Sequence, residues 1–275
     1  MEYKHSPASL QALKFLEGGG GVDWGRCIPA LLISGPPGVG KTAFAEEAAR
    51  HLGARLLFHQ LHSWSGADDL FSGVCVSAAV AGDAEHVDQP GILHLAAEWS
   101  QRGKVLVCLD ELDKAPEPVE ALLLDWLQTG RVPVKPGVHL QTRLDRVVCV
   151  LTTNGVREHT DALLRRCRRL RLAPLPEEVR IQICQSRSGA PALVTRLIDR
   201  ACMIIAQAEG TEALSVQEIA QACTEIWRLA DSAQAVREAL RAWASRGDGK
   251  AADLPEIKNL AATIWGEVVA ARRRQ

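Results

Sequence analysis

At 275 residues, 47% hydrophobic and 24% charged, the chain is long and apolar enough to bury one large or two modest cores. Its formal net charge of −1 excludes a global basic field of the kind that draws nucleic acid or an anionic membrane. No apolar run approaches the roughly 18 residues of a bilayer span, and the N-terminus lacks a secretory pattern, so a cytoplasmic protein is expected.

In chain order, 6–17 reads as a short amphipathic helix, stopped by the glycine run 18–21, which reads as a flexible joint. Residues 31–34 read as a buried strand. Gly35, Pro36, Pro37, Gly38, Val39, Gly40, Lys41 and Thr42 follow, and a helical pattern runs over 43–52. This is G-x-x-x-x-G-K-T in its strand-to-helix context. The glycines let successive backbone N–H groups turn inward on a phosphate, and the helix start adds free amides. Lys41 is expected to bridge the β- and γ-phosphates, and Thr42 to offer its hydroxyl to Mg²⁺.

A second strand is expected at 54–61, then a polar loop, a short helical start at 68–71 and a hairpin over 74–88. A helix follows over 92–101. The apolar run 105–109 has the character of a central parallel strand and ends in Asp110 and Glu111. Beyond it lie a helix at 116–129, a hairpin across Lys135-Pro-Gly and a buried strand at 147–151 ending toward Asn154. A helix at 160–166 carries Arg165 and Arg166, and a last short strand is expected at 170–172. Past Pro174 and Pro176 the pattern is helical: 177–186, 191–208, 215–230, 232–245 and 255–271, with a solvated basic end from Arg272. The eight cysteines include no C-x-x-C pair, and Cys108 and Cys149 sit in apolar runs. Buried thiols are therefore expected in preference to disulfides or zinc ligands.

Alternating strands and helices predict a parallel sheet covered on both faces, with ligand at the carboxyl ends of the strands. Asp110, Glu111 and Asn154 fall there. Asp110 is expected to hold Mg²⁺ through water, and Glu111 to orient and deprotonate an attacking water. Asn154 suits a contact to that water and the γ-phosphate. Asp113 and Lys114 read as solvated loop charges. Arg165 and Arg166 have two readings: a finger reaching a neighbouring subunit's site, or cations favoured at a helix C-terminus.

The order of phosphate loop, Asp-Glu, Asn and paired Arg, followed by a helical segment, resembles the AAA+ ATPases over about 31–244. More narrowly, DELDKAPEPVEALLLDWLQTGRV (110–132), DALLRRCRRLRL (161–172) and the two hairpins look like the MoxR clade. The resemblance implies an α/β P-loop NTPase fold, a three-layer αβα core with a parallel sheet, followed by a small all-α lid. The expected domains are 1–22 (helix and joint), 23–173 (core), 174–246 (lid) and 247–275 (terminal helix and tail). It further implies ATP and Mg²⁺ as cofactors and self-assembly into a ring, usually a hexamer. The expected activity is ATP hydrolysis that remodels a separate partner protein, often one with a von Willebrand A-type domain. Many such lids carry an arginine where this chain has Gln217, so the lid's grip on nucleotide is expected to be weaker here. Trp64 stands where some AAA+ rings present an aromatic to the pore; substrate gripping and core packing are both open. Alternative readings are a nucleotide-gated scaffold with little turnover, a DNA-associated AAA+ protein and a small-molecule kinase. The last two fit less well, because no basic stripe or reader domain is visible and a kinase needs neither Asn154 nor the Arg pair. Adenine is preferred to guanine on the resemblance alone.

Overall fold

Helix α1 (Pro7–Leu16) begins at Ser6, whose hydroxyl accepts the Ser9 N–H at 3.2 Å. Strand β1 (Ala30–Ser34) runs into the glycine loop and α2 (Lys41–Leu52), which ends where Gly53 takes the left-handed conformation. Next come β2 (Arg55–Gln60), a single turn of helix α3 (Ala67–Leu70), β3 (Ser72–Val74), β4 (Asp88–Pro90) and α4 (Ile92–Ser100). Strand β5 (Val105–Asp110) leads through a 3-10 turn (Leu112–Lys114) into α5 (Glu117–Thr129). The hairpin β6 (Arg131–Lys135) and β7 (Val138–Gln141) follows, then β8 (Val147–Thr153), α6 (Asp161–Arg166) and β9 (Cys167–Arg171). This computed structural model describes residues 6–18, 26–74, 80, 88–135, 137–212 and 214–274.

The main sheet has the order β2-β5-β8-β1-β9, with every neighbouring pair parallel. β1, β5 and β8 are the interior strands, which is why their sequences are apolar runs and not alternating ones. Their carboxyl ends lie side by side, with Ser34 opposite Thr153 and Leu109 opposite Leu151. The core on one side of the sheet gathers Leu61, Leu93, Leu109, Leu123, Trp126 and Leu151 around the strands. Trp126 is fully buried and its indole N–H donates to Thr142 Oγ1 at 3.1 Å. Gly91 is the residue the packing demands at its position: a Cβ there would lie 2.5 Å from the Leu70 carbonyl carbon.

The last strand starts at Cys167, three residues before the expected 170. Its sequence, Cys-Arg-Arg-Leu-Arg, lacks an apolar run because β9 is an edge strand. Only Cys167 and Leu170 are buried, and backbone pairing to β1 supplies the rest. The β6–β7 hairpin stands where it was expected. Of the hairpin expected over 74–88, the structure gives the antiparallel base, Ser72 opposite Pro90 through Val74 opposite Asp88; 75–79 and 81–87, including Cys75, lie outside the described residues. Glycines 19–21 of the expected joint also lie outside them.

The described residues divide into two compact units. One runs to Pro36 and resumes from Gly40 to Ala173; the other comprises Pro37–Val39 and everything from Pro174. The second unit is all-helical: α7 (Glu177–Ser188), α8 (Ala192–Glu209), α9 (Val216–Leu229), α10 (Ala233–Ala244) and α11 (Pro255–Arg272). Ile198, Cys202, Ile219, Cys223, Ile226, Leu240 and Ile264 form its core. Ser215 and Glu218 make a reciprocal capping box at the start of α9, and Arg180 clamps Asp199 with two nitrogens at 3.0 and 2.7 Å. Arg272, expected to be solvated, instead donates to the carbonyls of Trp227 and Ala230 and lies over both Trp227 and Trp265. Among the described residues no helix is long and apolar enough to cross a membrane.

Candidate active site

The α2 N-terminus has no side-chain cap. Its N-cap is Gly40 at φ 93°, a conformation that costs glycine nothing and that presents the first-turn amides. Lys41 follows at 8% exposure, and its Nζ donates to Gly35 O at 2.8 Å, Pro36 O at 2.9 Å and Asn154 Oδ1 at 2.6 Å. All three ammonium donors are thus engaged with oxygens at one place, where phosphate oxygens would meet the same donors. Burial lowers the Lys41 pKa from its ordinary value, and the charges of Asp110, Asp113 and Glu111 oppose that shift.

At the end of β5, Asp110 Oδ1 accepts from Thr42 Oγ1 at 3.2 Å and from Thr152 Oγ1 at 2.6 Å. The hydroxyl and carboxylate are hard oxygen donors, the type Mg²⁺ takes beside substrate phosphates, and their proximity fits a shared ion. Glu111 is the one non-glycine among the described residues with positive φ, at 58°. Its N–H donates to Thr152 Oγ1 at 3.0 Å, which helps hold a backbone conformation that disfavours a side chain. This turn swings its carboxylate away from the strand line. Gln60 Nε2 donates to it at 2.6 Å, Lys114 Nζ at 2.8 Å and Asn154 Nδ2 at 3.4 Å. Burial alone would raise the Glu111 pKa, but the hydrogen bonds of Lys114 and Gln60, the Lys114 charge and Asn154 outweigh it and hold the carboxyl below its ordinary range.

The structure therefore brings Lys41, Thr42, Asp110, Glu111 and Asn154 together within one unit, although they come from two parallel strand ends and one helix start. It also adds residues not singled out from the sequence. Thr152 bridges Asp110 and Glu111, and Gln60 closes on Glu111 from the edge strand. A polar residue at the end of each strand was the only available signal for them. One expectation changes. Asp113 is not solvated: it is 5% exposed, and its Oδ2 accepts the N–H groups of Asn154 at 3.2 Å and Val156 at 3.0 Å. Its placement on the 3-10 turn behind β5 aims it at the chain leaving β8. Lys114 is exposed, as expected, and its ammonium also pairs with Glu111 Oε2 at 2.8 Å.

Arg165 and Arg166 are exposed on the last turn of α6 and touch none of Lys41, Asp110, Glu111 or Asn154. Arg166 folds back on Ala162 O and Gln128 Oε1, both at 3.4 Å. The Arg165 side chain makes no hydrogen bond or ion pair with the described residues. Trp64 is 88% exposed on the turn after β2, which removes core packing as its role. Gln217 is exposed on the first turn of α9.

A family model described as an AAA domain of the dynein-related subfamily matches residues 30–167, just over half of the chain. No curated protein matches it by sequence. Among solved structures it is similar to a mutant of Thermotoga maritima RuvB, at 15% identity and a TM-score of 0.46, over 82% of this chain and 69% of that one. The parallel sheet with its phosphate loop is the α/β P-loop NTPase fold expected from the sequence, and the helical segment follows it. The chain belongs to the AAA domain family, in its dynein-related subfamily.

Proposed function

We propose that this chain is a Mg²⁺-dependent ATPase that works as a ring, in the manner of the MoxR clade, to remodel a separate partner protein. The observation that carries the hydrolytic part is the line from Lys41 Nζ to Asn154 Oδ1 at 2.6 Å and from Asn154 Nδ2 to Glu111 Oε1 at 3.4 Å. One polar side chain thereby joins the phosphate-binding cation to the carboxylate that would activate water. Thr42 and Asp110 would hold Mg²⁺ beside the β- and γ-phosphates, where the ion supplies charge neutralisation for phosphoryl transfer. Glu111 would take the proton of the attacking water, and Asn154 would orient that water against the γ-phosphate.

The position of Arg165 supports the ring. Among the described residues its exposed guanidinium has no hydrogen-bond or ion-pair partner and lies outside its own chain's site, and a neighbouring subunit's γ-phosphate is the acceptor it suits. Trp64 and the paired strands β3 and β4 are the surfaces we propose for a partner, with a von Willebrand A-type domain as the expected class. A second reading, a nucleotide-gated scaffold with slow turnover, is favoured by one observation: both carboxylate oxygens of Glu111 are already engaged, by Asn154, Gln60 and Lys114. Water activation then requires those bonds to open.

ATPase rate against protein concentration, with mass by light scattering with and without Mg-ATP, tests the proposal. The expected result is a rate per subunit that rises with concentration. It should collapse in Glu111→Gln and in the Arg165→Ala/Arg166→Ala double variant, and recover in part when the two variants are mixed. A monomer that binds ATP and ignores both changes would sink the ring.

A further inference from the structure

Glu120, in the first turn of α5, is 0% exposed, and no part of the phosphate site touches it. Its carboxylate accepts four donors: Arg157 Nη1 at 2.6 Å and His159 Nδ1 at 2.8 Å on Oε1, Thr160 N at 3.0 Å and Thr160 Oγ1 at 2.8 Å on Oε2. All four come from 157–160, the connection between Asn154 and α6. The other His159 nitrogen meets Thr153 Oγ1 at 3.0 Å, next to Asn154, and the same hydroxyl accepts the Gly155 N–H at 3.1 Å. Thr160 is the N-cap of α6, its hydroxyl accepting the Leu163 N–H at 3.4 Å. Asp113 Oδ2 holds the start of the same connection at Asn154 and Val156.

A buried carboxylate is a costly way to add stability, since apolar side chains of similar volume do as well or better. What this one supplies is geometry. It locks the only covalent path from Asn154 to Arg165, and it does so through bonds that begin at Asn154's own neighbour. We propose that Glu120 is a positioning residue that couples the γ-phosphate contact at Asn154 to the orientation of the arginine-bearing helix α6, with His159 as the intermediate. The proposal rests on the ATPase reading above. A shift of Asn154 on γ-phosphate would move Thr153 and Gly155, change the His159–Thr153 bond, and reach Thr160 and the cap of α6 through Glu120.

The test reads the His159 ring nitrogens by NMR in the full-length protein with labelled histidine, the signal being identified by its loss in His159→Gln. Mg²⁺ with ADP and Mg²⁺ with the non-hydrolysed analogue AMP-PNP are compared, with occupancy measured separately by a fluorescent nucleotide. The expected result is a His159 signal that differs between the two bound forms in the wild type and not in Asn154→Ala carrying the same nucleotides. Glu120→Gln is expected to lower kcat about tenfold with KM unchanged within about twofold. Its mixtures with Glu111→Gln should show no recovery. An identical His159 signal in both fully occupied forms overturns the coupling while leaving the nucleotide site standing. Failure to bind either nucleotide removes the ATPase reading and the coupling with it. If Glu120→Gln does not fold, the wild-type and Asn154→Ala comparison decides alone.

Discussion

Lys41 and Asn154, 113 residues apart, meet at 2.6 Å between ammonium and amide oxygen. The contact exists because β1 and β8 are parallel neighbours whose carboxyl ends coincide, with Ser34 opposite Thr153. A cation placed by the first helix turn after β1 then lies beside a polar residue placed by the first step after β8. Neither residue needs a long reach, so both hold one geometry.

Lys41→Met removes three charge-assisted hydrogen bonds from a buried position. We expect nucleotide affinity to fall about 10- to 100-fold, measured by titration with a fluorescent ATP analogue, with the fold kept by circular dichroism. Unchanged affinity would show that the loop does not hold phosphate through this side chain.

Glu111→Gln keeps the shape and the left-handed backbone and removes the base. Nucleotide binding is expected to persist while kcat drops about 10²- to 10⁴-fold in single-turnover phosphate release. Gln60→Ala is expected to act in the opposite direction on Glu111's freedom, because it deletes the 2.6 Å bond to Oε2. A rate equal to or above wild type would fit that; a loss as deep as Glu111→Gln would make Gln60 part of the chemistry.

The two arginines of α6 are expected to differ. Arg166 is folded back on its own unit, so Arg166→Ala should cost little, whereas Arg165→Ala should cost about 10³-fold in turnover if it serves a neighbour's site. Equal losses would deny Arg165 its separate role.

Glu120 links pH to stability. Burial would raise its pKa, but the bonds from His159, Thr160 and Arg157 overcome this and hold it below the ordinary value of 4.5. A carboxylate depressed in the folded state contributes stability that is present above its unfolded pKa. That contribution is lost as pH falls through 4.5 toward the lower folded value. The urea midpoint gap between wild type and Glu120→Gln should therefore be constant above that pH and shrink below it. A gap independent of pH would mean the carboxylate is not charged in the native state.

Two tryptophans should separate cleanly. Trp126→Ala is expected to cost about 3–5 kcal/mol, because the ring is fully buried and its N–H is bonded to Thr142. Trp64→Ala should change stability by less than about 0.5 kcal/mol, as suits an exposed turn. Urea unfolding of both variants checks the pair.

Much of the fold is legible in the chain itself because its signals are local. Gly35 through Thr42 carry the pattern of a strand-to-helix phosphate loop, and the apolar runs at 105–109 and 147–151 have the character of interior strands. Asp110, Glu111 and Asn154 were findable for the same reason: parallel strands deliver their last residues to one edge. Tertiary structure alone decided which neighbours those residues acquire. Gln60 closes on Glu111 because β2 pairs with β5. Asp113, expected as a surface charge, becomes a buried clamp, and Glu120 is a second one, because the chain leaving β8 brings donors to both. A charged side chain carries no local mark of its burial, since whether it is desolvated depends on partners that arrive from elsewhere in the sequence.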